Sequence, residues 1–137
     1  MTDTALRPFP AITPQNEFFW TAGAEGKLRF KRCRACCTYL HPPPPVCPEC
    51  LSKDISVEDV SGAATVAAFT INHHQWRPAF PPPYVIAIVE IAEAPYVRLT
   101  TQIVGCAPEA VSIGMTVQVR FEQVGPAWLP LFAPRED

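Results

Sequence analysis

Four cysteines of this 137-residue chain have the spacing of metal ligands. Cys33 and Cys36 form one C-x2-C pair, and Cys47 and Cys50 form a second pair after ten intervening residues. Two residues between thiolates allow a tight turn to point both sulfurs at one cation, and two such turns complete a tetrahedral shell. A closed shell of four thiolates is typical of a structural zinc or iron ion and leaves no position for a substrate. The sequence therefore predicts a structural metal site, with zinc as the expected ion.

The other two cysteines are weaker candidates for chemistry. Cys37 directly follows Cys36 and could replace it as a ligand, but the two-residue spacing favours Cys36. Cys106 falls in a predicted loop in which no neighbouring residue would activate a thiol. A redox-active C-x-x-C motif usually occurs once, within a βαβ pattern that this sequence lacks. We therefore expect both thiols to be free and inert.

The three histidines do not form an evident catalytic set. His73 and His74 are adjacent, so in an extended segment their side chains point to opposite faces. A structural or ligand-contacting role fits them better than catalysis. His41 lies beside the ribbon prolines and could substitute for a cysteine ligand, an alternative that the cysteine spacing disfavours. The sequence thus predicts no catalytic residue and a chain that is not an enzyme on its own.

The elements that must position the cysteines follow from the apolar pattern. Thr13-Pro14 is a typical helix start, and Gly26 is a plausible helix end, so an aromatic helix is predicted between them within a segment 1–26. Residues 27–32 alternate as a half-buried strand, and the prolines of residues 41–45 exclude helix there. We interpret residues 27–53 as a zinc ribbon.

The remaining segment, residues 54–137, reads as all-β. Strands are predicted around residues 55–60, 62–72, 84–92, 96–104, 116–124 and 127–133, because these stretches alternate or are rich in β-branched residues. Pro130 limits the last strand to an edge or a bulge. About five core strands, with a break between the third and the fourth, indicate a small closed OB-type barrel. The predicted fold class is mainly β, with an N-terminal helix, a rubredoxin-like zinc ribbon and a five-stranded OB-fold barrel.

Charge is distributed unevenly over a net total of −2. Residues 27–53 hold six basic and one acidic side chain, whereas residues 54–137 hold four basic and nine acidic ones. An OB barrel that grips single-stranded nucleic acid needs a positive groove and exposed stacking aromatics, so this acidic half disfavours nucleic acid. No apolar run is long enough for a membrane helix, and residues 1–26 do not resemble a signal peptide, so a cytoplasmic protein is expected.

Three consecutive aromatic residues, Phe18, Phe19 and Trp20, project over roughly 200° of a helix. One small core cannot take all three side chains. Either one is buried and the other two lie under the N-terminal tail, or the exposed ones form a docking surface for another protein. We predict the second arrangement.

The order of these parts resembles a family of rubredoxin-like zinc ribbon plus OB-fold proteins known as a domain of unknown function. The resemblance covers residues 14–133 and rests on the cysteine quartet, on PPPYVIAIVE and on VGCAPEAVSIGMTVQVRF. It implies a non-catalytic accessory subunit of thiolase-like enzymes that act on acyl-CoA, by acyl transfer or by aldol cleavage, including steroid side-chain degradation. The family commonly has glycine after the second cysteine of each knuckle, where this chain has Cys37 and Leu51.

The sequence is compatible with two functions. The first is an accessory subunit that binds a thiolase-fold enzyme in a hetero-oligomer and contacts the CoA moiety, and the alternative is a nucleic-acid-binding OB-fold protein. CoA requires cations for its phosphates and an apolar slot for its pantetheine. The candidate CoA contacts are a basic stripe and a proline-rich loop: Lys27, Arg29, Lys31, Trp76, Arg77 and Phe80. The same residues could equally form a solvated strand face and an ordinary packed loop.

Overall fold

Strands make up most of the structure, a computed structural model that describes residues 7–135. The helix α1 spans Glu17–Thr21, a 3-10 turn spans Ala22–Glu25, and a second 3-10 turn spans Pro108–Ala110. The strands are β1 (Leu28–Cys33), β2 (Tyr39–Leu40), β3 (Ile55–Val60), β4 (Ala63–Asn72), β5 (Tyr84–Ile91), β6 (Ala94–Ile103), β7 (Thr116–Val124) and β8 (Ala127–Pro134). No helix within residues 7–135 is both long enough and apolar enough to cross a membrane.

The N-terminal helix is shorter than the sequence predicts. Residues 14–16 form a turn, and the amide oxygen of Asn16 accepts a hydrogen bond from the Thr13 backbone N–H at 2.7 Å. The Glu17 N–H also donates to the Thr13 carbonyl at 2.9 Å, so Thr13 starts a single capped turn. The regular helix begins only at Glu17, so the start predicted at Thr13-Pro14 was too early. The predicted end is correct, because Gly26 adopts a φ of 71° and its N–H donates to the carbonyl of Gly23.

The ribbon is built on a three-stranded antiparallel sheet in the order β2-β1-β3. The alternation of β1 buries Leu28 and Phe30, as the sequence predicts. β3 was predicted to be the start of the barrel segment, but it pairs with β1 along its whole length. Leu28 lies opposite Val60 at one end, and Cys33 lies opposite Ile55 at the other. β3 therefore completes the ribbon sheet, and the barrel strands begin with β4. The division of the chain at residues 53 and 54 stays a prediction.

The second unit is a closed five-stranded barrel in the order β4-β5-β6-β8-β7, which confirms the predicted OB-type architecture. Neighbouring strands are antiparallel except β6 and β8, which are parallel and pair at a single position, Ile103 with Phe132. Away from that position no further backbone pair is described between the two strands, and the Thr101 hydroxyl donates to the Pro130 carbonyl at 2.8 Å. A cleft opens on the barrel there, next to Pro130, which has no N–H to donate.

Ribbon and barrel share one hydrophobic core. Phe19 of α1 and Phe30 of β1 belong to the same buried cluster as Val89 and Phe132 of the barrel. Gly23 allows the close approach of the 3-10 turn to the barrel, because a Cβ at this position would lie 2.5 Å from the Cβ of Trp128. A small second cluster lies in the ribbon and is formed by Leu40 and two of the four cysteines, Cys33 and Cys47. The position of the ribbon on the barrel is thus set by apolar packing.

Candidate functional site: a four-cysteine centre and a cleft

The four predicted cysteine ligands come together at the tip of the ribbon. The Sγ atoms of Cys33, Cys36, Cys47 and Cys50 all lie within 4.8 Å of one another. The Sγ distance is 3.5 Å between Cys33 and Cys50 and 3.6 Å between Cys36 and Cys47. A tetrahedral ion with Zn–S bonds of about 2.3 Å places its sulfurs about 3.8 Å apart. The quartet therefore fits one tetrahedral metal ion of zinc or iron size.

Each cysteine pair lies in a tight turn of the same geometry. The N–H of Cys37 donates to the carbonyl of Cys33 at 2.9 Å, and the N–H of Leu51 donates to the carbonyl of Cys47 at 2.8 Å. Cys37 and Leu51 have φ values of 67° and 65°, the left-handed conformation that favours glycine. Such a conformation costs a non-glycine residue roughly 1–2 kcal/mol. The turns are nevertheless formed, so the departure from glycine leaves the ligand geometry intact.

The thiols of the quartet differ in acidity. A hydrogen bond from the Thr38 hydroxyl, at 3.1 Å, lowers the pKa of Cys36 to about 6. The Ser52 amide lowers the pKa of Cys50, but hydrogen bonding to Cys33 and the other thiols and desolvation raise it to about 12 overall. A bound cation deprotonates all its thiol ligands, so metal binding releases protons and weakens as the pH falls.

None of the alternative ligands joins the quartet. Cys37 is exposed beside the centre, and Cys106 is half-buried against the barrel core. His41 instead packs between two aromatic rings, with centroid distances of 5.1 Å to Phe19 and 5.1 Å to Phe30. The His41 side chain therefore packs α1 and β1 against the prolines that follow β2.

Stability is expected to fall in mild acid because of His41. Burial lowers the pKa of its imidazole, so the folded protein keeps it neutral while the unfolded chain protonates near pH 6.5. Stability from this group is complete above about pH 6.5 and decreases below it, by at most about 1.4 kcal/mol per pH unit. Urea unfolding at several pH values checks this. Since acid also releases metal, His41→Phe is the control, and an unchanged pH profile in that variant would contradict the prediction.

The three aromatic residues of α1 have different environments. Phe19 is buried, whereas Phe18 and Trp20 are half-buried. The ammonium group of Lys31 lies 5.1 Å from the ring centroid of Phe18, and Trp20 packs edge-on against Phe19 at 4.8 Å. One side chain thus enters the core and two remain partly accessible, because three consecutive residues of a helix point in different directions. Their role in partner binding stays a prediction.

The basic stripe predicted to contact CoA is largely paired with acidic side chains. Lys27 Nζ lies 3.2 Å from Asp59 Oδ2, and Arg29 Nε lies 2.7 Å from Asp59 Oδ1. Arg29 also pairs with Glu25 at 2.8 Å. The hydrogen bonds between Arg29 and Asp59 raise the pKa of the guanidinium and lower that of the carboxyl. A phosphate group at Lys27 or Arg29 would compete with these ion pairs. Lys31 makes no salt bridge within residues 7–135, and its ammonium group lies over the Phe18 ring.

The three candidates in the proline-rich loop do not converge on one site. Trp76 is 70% exposed, donates from Nε1 to Asn72 at 3.0 Å and packs edge-on against His74. Arg77 is exposed, while Phe80 turns towards the cleft between β6 and β8. Only Phe80 of the three therefore lines a concave surface.

This cleft is the feature that sequence reasoning missed. It has a volume of about 830 Å³ and is lined by β6 and β8, by α1, by the prolines after β2 and by the proline-rich loop. Its lining residues include Arg7, Phe19, Trp20, His41, Pro42, Pro43, Phe80, Arg98, Thr100, Gln102, Leu129 and Leu131. They come from distant segments of the sequence, so Trp20, His41 and Phe80 were each singled out from the sequence, but their meeting in one cleft was not predicted.

A four-cysteine ribbon sheet that shares its core with a closed five-stranded barrel defines a zinc ribbon plus OB-fold protein. Sequence models agree: "ChsH2, rubredoxin-like zinc ribbon domain" matches residues 20–56, and "ChsH2, C-terminal OB-fold domain" matches residues 57–122. The chain belongs to this family, the DUF35 family.

Three similar proteins extend the comparison. A "Probable enoyl-CoA hydratase alpha subunit" of Thermomonospora curvata is 42% identical over 131 residues, 95% of this chain but 40% of that protein. A "DUF35 domain-containing scaffold protein" of Methanocaldococcus jannaschii is 38% identical over 95 residues, 68% of this chain and 66% of that protein. A chain of the solved "Ltp2-ChsH2(DUF35) aldolase" is 39% identical with a TM-score of 0.83, over 92% of this chain and 98% of that one. This chain thus spans less than half of the hydratase subunit.

Proposed function

We propose that this protein is a non-catalytic accessory subunit of a thiolase-like enzyme that acts on acyl-CoA. The main support for the proposal is the structural similarity to a chain of an aldolase, of which the match covers 98%. The name of that aldolase joins two proteins, Ltp2 and ChsH2. The proposed reaction of the complex is acyl transfer or aldol cleavage, including the shortening of steroid side chains. The ion in the four-cysteine centre is proposed to be zinc, because four thiolates in a closed tetrahedron favour it.

The side-chain geometry supports a role without catalysis. Within residues 7–135 no hydrogen bond joins a histidine side chain to a serine, threonine or cysteine side chain. His73 and His74 are exposed, and the ring of His74 packs edge-on against Trp76. The proposal therefore assigns the nucleophile and the bases to the partner enzyme.

CoA contact is part of the proposal, at the residues predicted above. Arg77 is exposed and makes no salt bridge within the described part of the chain, so its guanidinium is available to a phosphate. Phe80, three residues later, supplies an apolar surface at the cleft. Lys31 would act as a further cation, and Lys27 and Arg29 would join it if a phosphate displaced their acidic partners.

Nucleic acid is disfavoured as the ligand of the barrel. Arg98 pairs with Glu90 at 2.8 Å, and Arg7 pairs with Glu122 at 2.6 Å, so neither is a free cation. The outer face of β5 exposes Ile86 instead of a stacking aromatic or a basic side chain. A single-strand binder needs a continuous positive groove, which these pairs interrupt.

The test is co-expression with a thiolase-like protein encoded near this chain in its genome, followed by activity assays. The isolated chain should turn over no acyl-CoA, and a stable complex should be active only when both proteins are present. His73→Ala and His74→Ala should leave the activity of the complex within about twofold, since the nucleophile and bases belong to the partner. Turnover by the isolated chain, or equal activity of the partner with and without it, would refute the accessory role.

A further inference from the structure

Residues 7–12 are an irregular segment that lies against the barrel, and Arg7 is its main anchor. The Arg7 guanidinium donates from Nη1 to Glu122 of β7 at 2.6 Å and from Nη2 to Gln102 of β6 at 3.0 Å. The Arg7 side chain is only 19% exposed, so solvent screens this ion pair less than it screens a pair on the open surface. One side chain thus ties this segment, which we call the N-terminal strap, to two strands of the barrel.

Two further contacts hold the N-terminal strap in place. The Phe9 ring packs on the turn between β7 and β8, where a Cβ at Gly125 would lie 2.8 Å from the Cε1 atom of Phe9. At the other end of the strap, the side-chain amide of Asn16 donates to the Ala11 carbonyl at 3.1 Å. The strap is therefore bound along its length and not by the ion pair alone.

The proline-rich loop, residues 73–83 between β4 and β5, has few contacts of its own. Within the described part of the chain its hydrogen bonds join only residues 72–80 to one another. Most of its side chains are exposed, and a segment with few buried contacts opens easily. Two groups hold the Phe80 ring: the Arg7 guanidinium, 5.2 Å from its centroid, and the Tyr84 ring at 6.0 Å. The same arginine that binds β6 and β7 therefore also binds the loop.

The N-terminal strap is incompletely satisfied in its bound position. Arg7 Nε is buried and has no hydrogen-bond partner among residues 7–135. A buried donor without a partner opposes the position that buries it, whereas water satisfies the same donor once the side chain is exposed. The bound position is thus favoured by the ion pair and opposed by the unpaired donor, and this balance allows the strap to detach.

We propose that the N-terminal strap is a conformational latch, which holds the proline-rich loop against the barrel when bound and frees that loop when released. Arg7 is the positioning residue of this latch, because it acts on the loop through the Phe80 ring. The loop also carries Trp76 and Arg77, so release of the strap lets these exposed side chains move relative to the barrel. The latch follows from contacts within this chain and does not rest on the proposed function.

The experiment measures the freedom of the loop in the full chain, by the rate of chymotrypsin cleavage after Trp76 and by NMR relaxation of the loop amides. Arg7→Gln removes the ion pair and the cation above the loop, and it should speed cleavage at least about fivefold. The order parameters of the loop amides should fall from about 0.8 to below about 0.6. Arg120→Gln is the matched control, because Arg120 is an exposed arginine of β7 that makes no salt bridge within residues 7–135. It should leave both measurements unchanged.

Glu122→Gln tests the same contact from the side of the barrel. It should speed cleavage at least about twofold, and the double variant should be cleaved no faster than Arg7→Gln, because both changes remove one ion pair. The proposal is overturned if the loop of Arg7→Gln is as rigid as that of Arg120→Gln, or if Glu122→Gln leaves the loop unchanged. It is also overturned if the order parameters of β5 and β6 fall as much as those of the loop, because Arg7 would then stabilise the whole barrel.

Discussion

Cys47→Ser is expected to remove the bound metal and to unfold the ribbon. Cys47 is fully buried, and its sulfur is one of four that meet at the centre. A serine hydroxyl is a poor ligand for zinc, and the binding free energy of structural zinc in small modules, about 10–16 kcal/mol, is largely folding free energy. The wild type should contain about one zinc per chain by elemental analysis. The variant should contain none and should lose its cooperative thermal transition or melt at a much lower temperature.

The neighbouring thiols provide matched controls. Cys37→Ser changes an exposed thiol directly beside the centre, and Cys106→Ser changes a half-buried one outside the ribbon. Both should retain one metal ion per chain. Chelation of the wild-type protein should reproduce the effect of Cys47→Ser and should be faster at lower pH, because protons compete with the metal for the thiolates. A metal-free wild type with unchanged thermal stability would contradict the structural role.

The parts of the fold that depend on local spacing could be predicted from the sequence. The knuckle turns need only a few consecutive residues, and the two C-x2-C pairs, from Cys33 to Cys50, do come together in the structure. The same holds for β7, whose period-two alternation gives its exact bounds, Thr116–Val124. In these cases the physical cause lies within a few residues of its effect.

The remaining features depend on contacts between distant residues. β3 has the composition of a barrel strand, but its pairing partner, β1, lies outside the barrel, and composition does not specify a partner. The ion pairs of Arg29 with Asp59 join positions 30 residues apart and occupy a stripe predicted to be available to CoA. The cleft arises because β6 and β8 pair at one position only. The binding surfaces therefore required the structure, whereas the metal centre did not.

Phe18→Ala is expected to weaken the complex with the thiolase-like enzyme by more than about 1 kcal/mol, at least about a fivefold loss of affinity. Phe18 remains half-buried on α1 with its ring below the Lys31 ammonium group, and partly exposed aromatics are typical interface anchors. Its truncation should leave the fold intact, since Phe19 holds α1 in the core. Calorimetric titration of the partner into each variant gives the affinity.

Two further variants separate an interface effect from an effect on folding. Phe19→Ala removes a buried ring and should lower the free energy of unfolding by about 3–5 kcal/mol. Ile113→Ala changes an exposed side chain on the loop before β7 and should alter neither stability nor affinity appreciably. Residues 27–53 hold six basic residues and one acidic residue, so association with the partner should be faster at low salt. If Phe18→Ala binds the partner as tightly as Ile113→Ala does, the exposed face of α1 is not the docking surface, and contact must be sought on the barrel.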